Sequence, residues 1–234
     1  ALPDLFKSQV PDWQTLLDSD GSEVFSSSPL APKETRLLSL GSLRISRAVG
    51  GLHSINTPHY YEETDTQGLL DIDVESYYPN IMLNYQIAPD GYDKQTFLNG
   101  FSKMLAARIE AKRSGNLSTS RSLKIALNSI YGKLNQAKFD DTIPDLSDGH
   151  SGFSVTLIGQ ALLMILIADI RRAGADPLLV NTDGVTFRYN KSCLPQITLA
   201  LSNWESHFSM ILEKKPVAHL LYLHVNAVYY GFKD

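Results

Sequence analysis

The stretch Ser154–Ala173 (SVTLIGQALLMILIADIRRA) limits what this chain can fold into more than any other. Leu, Ile and Ala crowd every side of a helix here, so water cannot surround it and it must pack on something large. Gly174 supplies its stop. Its longest unbroken apolar run, Ala161–Ala168, is too short to cross a bilayer, so the packing partner is expected to be protein and no membrane partner is expected. The 234 residues, 43% hydrophobic and 20% charged, hold enough apolar material for one large domain or two small ones.

Around that helix the pattern alternates between strand and helix signals. Gly68–Val74 (GLLDIDV) is β-rich and alternating, and predicts a strand. Pro79 follows in what reads as the first turn of a short helix. Phe101–Arg113 predicts a helix stopped by Ser114-Gly115-Asn116. Ser118–Asn135 predicts a second, with Ser118, Thr119 or Ser120 as N-cap, and the short polar turn between them makes a helical hairpin. Pro177–Asn181 and Val185–Tyr189 are short apolar runs joined by Thr182-Asp183-Gly184, a hairpin turn signal. Leu194–Leu212 reads as a helix, and Val217–Leu223 with Ala227–Gly231 as a final hairpin. Residues 1–67 are mixed and poorly periodic, with loop signals at Asp18–Ser22 and Ser26–Pro32 and a turn signal at Gly50-Gly51. The order predicts an α+β fold, helices on one face of an antiparallel sheet.

Charge narrows the partners. The formal net charge is −4, but Lys103, Arg108, Lys112, Arg113, Arg121, Lys124, Lys133 and Lys138 face only Glu110 between positions 103 and 138, which leaves +7 in that stretch. Such a block attracts phosphates while the rest of the molecule stays acidic, though a solvated helical face carries the same signature. Cys193 is the single cysteine, so no internal disulfide forms and a reducing, cytoplasmic setting is expected. The chain opens on Ala1 with no signal-peptide pattern, which reads as a trimmed start or a piece of something longer.

Two constellations carry chemistry. Asp73 closes a strand and Asp183 sits in a hairpin turn 110 residues later. If their strands are neighbours, both carboxylates emerge at one edge, repel each other and call for a cation. Mg²⁺ suits them, since it prefers hard oxygens and also takes substrate phosphates; two such ions can activate an attacking oxygen and neutralise a leaving one. Asp-Gly in a hairpin also serves as a turn with no further role. Along the helix 118–135, Arg121, Lys124, Asn128, Tyr131 and Asn135 recur at steps of three or four and share one face. That face can grip a triphosphate and stack a base, and Gly132 leaves room beside Tyr131. A surface helix whose Tyr covers the core has the same spacing.

In this order the elements resemble the motifs of family B DNA polymerases of the phage type. Asp73-Val-Glu-Ser-Tyr-Tyr-Pro79 is similar to D-x-x-S-L-Y-P. Lys124-Ile-Ala-Leu-Asn128-Ser-Ile-Tyr131-Gly132 matches K-x-x-x-N-S-x-Y-G at every fixed position. Val180-Asn-Thr-Asp-Gly184 is similar, less completely, to Y-x-D-T-D-S. The resemblance implies a palm (68–99 and 138–234) carrying a fingers helical hairpin (100–137), preceded by a segment 1–67 that leads into the palm. It implies DNA-directed DNA synthesis from deoxynucleoside triphosphates on a primer–template. Asp73, Asp183 and the Val74 carbonyl would bind two Mg²⁺, or Mn²⁺. Ser76 and Tyr77 would lie under the triphosphate, and Tyr78 below the sugar, excluding a 2′-hydroxyl. Lys124 would hold the triphosphate, with Lys112 or Arg113 as a second contact, and Asn128 and Tyr131 would line the nascent pair. Gly50, Gly51, Gly132 and Thr182 would lie along the DNA.

The sequence departs from the pattern at Asn181, where the family has the first Asp of the third motif, at Leu179 in place of its Tyr, and at Tyr77 in place of Leu. His224-Val-Asn226 stands where a basic, primer-gripping segment is expected. The exonuclease and thumb are expected to be missing from this chain and to come, if used, from separately encoded subunits. The setting implied is the cytoplasm of a bacterium or phage host. The competing reading is a catalytically weakened, polymerase-derived module that binds nucleic acid; a two-metal nuclease would leave the Lys–Asn–Tyr face unexplained.

Overall fold

A computed structural model describes residues 36–40, 43–48, 51–136, 146–224 and 227–233. The described chain divides into two compact units, one running to Val74 and resuming at Leu163, the other spanning Glu75–Leu162.

The first unit is built on one antiparallel sheet of nine strands: β1 Arg36–Leu40, β2 Leu43–Ala48, β3 Gly51–Ile55, β4 His59–Glu62, β5 Gln67–Val74, β6 Ala175–Asn181, β7 Gly184–Asn190, β8 Leu212–His224 and β9 Ala227–Phe232. The strands run in the order β1-β2-β3-β6-β7-β5-β8-β4, with β9 on β8. Four of them lie within residues 1–67, whose sequence is mixed and poorly periodic. They are four to six residues long, and even β2, where buried Leu43 and Ile45 alternate with exposed Arg44, is too short to stand out; pairing with neighbours supplies what local propensity does not. The loop signals at 18–32 lie outside the described residues, as do Gly50, Lys138, Val225 and Asn226.

β5 sits between β7 and β8, so its backbone is bonded on both edges. β8 is thirteen residues long where seven were expected, because Leu212–Val217 forms a full ladder with β5 despite the charged run Glu213-Lys214-Lys215 and Pro216. Val217 pairs with Leu69 on one edge of β8 and with Phe232 on the other. The helix expected to reach Leu212 therefore ends sooner, at Phe208, with Ser209 in the left-handed region at φ 52°. Its buried residues, Ile197, Leu201 and Trp204, recur at helical spacing. Leu69, Leu178, Leu179, Val217, Leu220 and Tyr222 form a buried cluster, with Tyr61, Val228 and Tyr230 packed against it.

The second unit is helical: α1 Tyr77–Asn84, α2 Lys94–Arg113, α3 Leu117–Leu134 and the first part of α4 Gly149–Arg172. α2 begins seven residues before the predicted start because Asp93 caps it, accepting from the Thr96 amide at 2.9 Å. The cap of α3 is Asn116, not a serine or threonine at 118–120; its side chain accepts from the Thr119 amide at 3.1 Å. Stripes at helical spacing bury Leu98, Phe101 and Leu105 on α2 and Leu127 and Leu134 on α3.

α4 is the apolar helix of the sequence. Val155, Leu162, Leu163, Leu166, Ile167 and Ile170 are buried along it. Its length and a mean hydropathy of 2.0 over its most apolar window match those of a membrane-spanning helix, which the unbroken run alone does not; half of that window is buried within the fold.

Candidate functional site

In the sheet unit, the β ladder brings together the two acids the sequence singled out. Asp73 lies opposite Gly184 on β7 and Glu213 on β8. The Val74 amide donates to the carbonyl of Asp183 at 2.8 Å, fastening the β6–β7 turn to the end of β5. A side chain at Gly184 would have its Cβ overlap the Asp73 carboxylate and lie 2.6 Å from the Ile72 carbonyl, so the close approach of turn and strand requires glycine here. Thr182 packs its side chain where Gly51 would otherwise carry one, with Oγ1 2.9 Å from that Cβ position. Asn181 pairs with His53 of β3 and is exposed.

The period of two places Asp71 on the same face as Asp73, and their register partners Thr186, Glu213 and Lys215 share it. Asp71 is buried at 8% exposure, accepts from the Thr186 hydroxyl at 2.6 Å, and has its carboxyl pushed up to about 6. Burial is the main cause; the Thr186 bond and Lys215 oppose it, while the negative charges of Asp73 and Asp183 reinforce it. The Thr186 hydroxyl also meets the Tyr230 hydroxyl at 3.0 Å. Lys215 places its ammonium 2.5 Å from Asp73 Oδ2 and 4.0 Å from Glu213 Oε2. Burial disfavours the ammonium, but the bond to Asp73 and the charges of Asp73, Asp71 and Glu213 outweigh it and raise the Lys215 pKa. These neighbours were absent from the sequence reading. Asp71 was legible, two residues before Asp73 in a predicted strand; Lys215 was not, lying between the predicted helix end at Leu212 and the predicted strand start at Val217.

Among the described residues no three His, Cys, Asp or Glu side chains are grouped to hold a metal on their own. The donor set nonetheless fits Mg²⁺. Asp73 and Asp183 are hard oxygen donors at one end of the sheet, and Mg²⁺ is commonly held by one or two carboxylates with water and substrate phosphate completing the shell.

In the helical unit the cations and aromatics gather around the start of α1. Ser76 adopts the left-handed region at φ 52°, and no side chain caps α1. The Ser76 hydroxyl accepts from the Arg108 guanidinium, and Glu75 pairs with Lys112 at 2.9 Å. Arg108 continues the apolar stripe of α2 at 9% exposure, and its Nε has no hydrogen-bond partner. A buried cation with an unsatisfied donor is an anion-seeking group. Sequence reasoning counted Arg108 only as charge; its place one turn before Lys112 in a buried stripe was the available signal. Helical spacing aims Lys112 at Glu75, while Arg113 is exposed.

Tyr77 is buried, donating its hydroxyl to the Gly159 carbonyl at 2.5 Å. Tyr78 stacks on Tyr131, ring centroids 4.1 Å apart at 24°. The Tyr131 hydroxyl meets Thr156 Oγ1 at 2.8 Å, which in turn donates to the Gly152 carbonyl at 3.1 Å. Arg121, Lys124, Asn128, Gly132 and Asn135 are exposed along α3, so the face read from the sequence is a solvent-facing one.

No protein-family model matches the chain, and no curated protein sequence matches it. Among solved structures the chain is similar to the family B DNA polymerase from the hyperthermophilic archaeon Pyrobaculum calidifontis, with a TM-score of 0.54 and 15% identity. The match covers 86% of this chain and 29% of that one, so the chain spans less than a third of the polymerase it resembles. The fold is thus a polymerase-like mixture of antiparallel sheet and helices.

Proposed function

We propose that this chain is the palm and fingers of a DNA-directed DNA polymerase that adds deoxynucleotides to a primer 3′-hydroxyl on a template. The observation that carries the reading is the fastening of the Asp183 turn to the strand end bearing Asp73, through the Val74–Asp183 bond and a glycine with no room for a side chain. The matched motifs around Asp73, Lys124–Gly132 and Asp183 and the fold likeness support it further.

In this reading Asp73 and Asp183 hold two divalent ions, with the Val74 carbonyl completing the set. Bound there, the ions supply activation of the attacking hydroxyl and neutralisation of the leaving pyrophosphate. Arg108, Lys112 and Lys124 hold the triphosphate, and positioning and charge neutralisation do most of the rest. Tyr78, propped by Tyr131, packs under the sugar and leaves no space for a 2′-hydroxyl. Asn128 and Gly132 line the new base pair, and Gly51 and Thr182 lie along the DNA.

Primer extension with Mg²⁺ and the four deoxynucleotides tests this. Asp73→Ala and Asp183→Ala are each expected to lower incorporation about a hundred- to a thousandfold, the scale lost when a preorganised charge-stabilising group is removed. Circular dichroism should show both variants folded. Undiminished extension by either would remove the assignment. Primer–template binding without extension by the unmodified chain would favour a nucleic-acid-binding module that has lost catalysis, the reading that Asn181 recommends.

A further inference from the structure

Asp73 does not stand bare at the end of its strand. We propose that Lys215 is a built-in cation that occupies the Asp73 carboxylate in the metal-free protein and must be displaced onto neighbouring acids when a divalent ion binds, and so sets the metal affinity of this site. The proposal rests on Asp73 being a metal ligand, as argued above.

The register explains why the competition arises. Lys215 lies directly opposite Asp71 and diagonally from Asp73 on the same face of the sheet, within the reach of a long side chain. Its ammonium sits 2.5 Å from Asp73 Oδ2, the distance of a charge-assisted hydrogen bond and the place an incoming cation would take. An ammonium and a divalent ion cannot share one carboxylate oxygen, so one excludes the other.

The same geometry lets the lysine leave. Glu213 Oε2 is already 4.0 Å from the ammonium, and Asp71 is its register partner, so two acceptors wait within a rotamer change. The Lys215 and Asp73 side chains are 40% and 38% exposed, and a pair that open to water is weak enough to break. Lysine suits the task better than arginine would: a point charge on a flexible four-carbon stem, with no rigid fork to lock on a carboxylate. The nearest charges that face it are Asp71, Asp73 and Glu213, all acidic, so the site stays attractive to a cation whether or not the lysine has moved.

Mn²⁺ binding to the nucleotide-free protein, followed by the electron paramagnetic resonance of free Mn²⁺, tests the exchange without reference to turnover. If Lys215 occupies Asp73 in about nine molecules of ten, apparent affinity is reduced about tenfold, and Lys215→Met restores that factor or more. Lys215→Arg, which keeps the charge, should not tighten binding, and Asp73→Asn should weaken it in both backgrounds. Equal or weaker binding by folded Lys215→Met, with Asp73→Asn still weakening it, overturns the proposal and leaves the polymerase reading standing. Tightening by Lys215→Arg as well overturns it too, since charge would not be the cause. No Mn²⁺ binding by either the unmodified chain or Lys215→Met overturns both readings.

Discussion

The sheet unit and the helical unit set their charges by different means. In the sheet unit the carboxylates of Asp71, Asp73 and Glu213 are placed by the hydrogen-bond ladder, each opposite a named partner on a neighbouring strand. In the helical unit Lys112, Arg121 and Lys124 project from helix surfaces on long side chains, and Arg108 alone is fixed by burial. Acids that must lie a few ångström apart need a rigid frame, since they repel; cations that meet a mobile phosphate gain from reach. The carboxyl pKa values divide the same way: burial raises that of Asp71 to about 6, whereas Asp148 in the helical unit stays ionised further into acid than an ordinary aspartate. Burial opposes that ionisation, but bonds from Ser151 and Asp90, at 3.1 Å each, outweigh it.

The largest expected effect attacks the frame. Gly184→Ala should push the Asp183 turn away from β5 and cost about 1–3 kcal/mol, the usual range for overpacking a tight site. Extension should fall with it although every acid is retained; a chemical denaturation curve and a primer-extension rate report the two losses. Full activity in Gly184→Ala would show that the ladder does not set the spacing of the acids. Next in size is the aromatic pair of the helical unit. Tyr78→Ala should raise ribonucleotide incorporation about ten- to a hundredfold, as steric exclusion worth 1–3 kcal/mol does. An unchanged deoxy-to-ribo ratio would remove Tyr78 from the sugar site. Smallest is the opposition in pH response. Because the Asp71 pKa is raised to about 6, its contribution to stability is full below the unfolded value near 4 and is lost as pH rises through 6. Asp148 has a lowered pKa, so its contribution is present above its unfolded value and lost as pH falls below it. Urea unfolding in chelator at pH 2.5, 4.5 and 7.5 should show Asp71→Asn flattening the fall between 4.5 and 7.5, and Asp148→Asn costing stability at 4.5 and 7.5 but less at 2.5. Parallel slopes for the two variants would erase the contrast.

Those features that rest on local rules were legible in the sequence. The strand at Gly68–Val74, the Thr182-Asp183-Gly184 turn and the α3 face follow from periodicity and turn chemistry, and the structure has all three; α4 is buried along one side only, with Phe153, Leu157 and Ile165 exposed on the other. What was hidden depended on pairing between distant segments. β1–β4 are four to six residues each, too short to announce themselves. The first half of β8 hides behind two lysines and a proline that only the ladder to β5 makes intelligible. Lys215 at Asp73 and Arg108 at Ser76 are contacts across 142 and 32 residues, which no window of sequence contains.

A residue defined by what must be missing leaves its own mark in a population of variants. Position 184 admits no atom beyond the backbone, so every codon change there that alters the amino acid should be purged whatever the chemistry of the newcomer. In a saturation library selected for DNA synthesis, the column at 184 would be blank, beside a neighbour at 183 where conservative acids compete. That vacancy would locate the proposed catalytic edge of the molecule without a single assay of its acids.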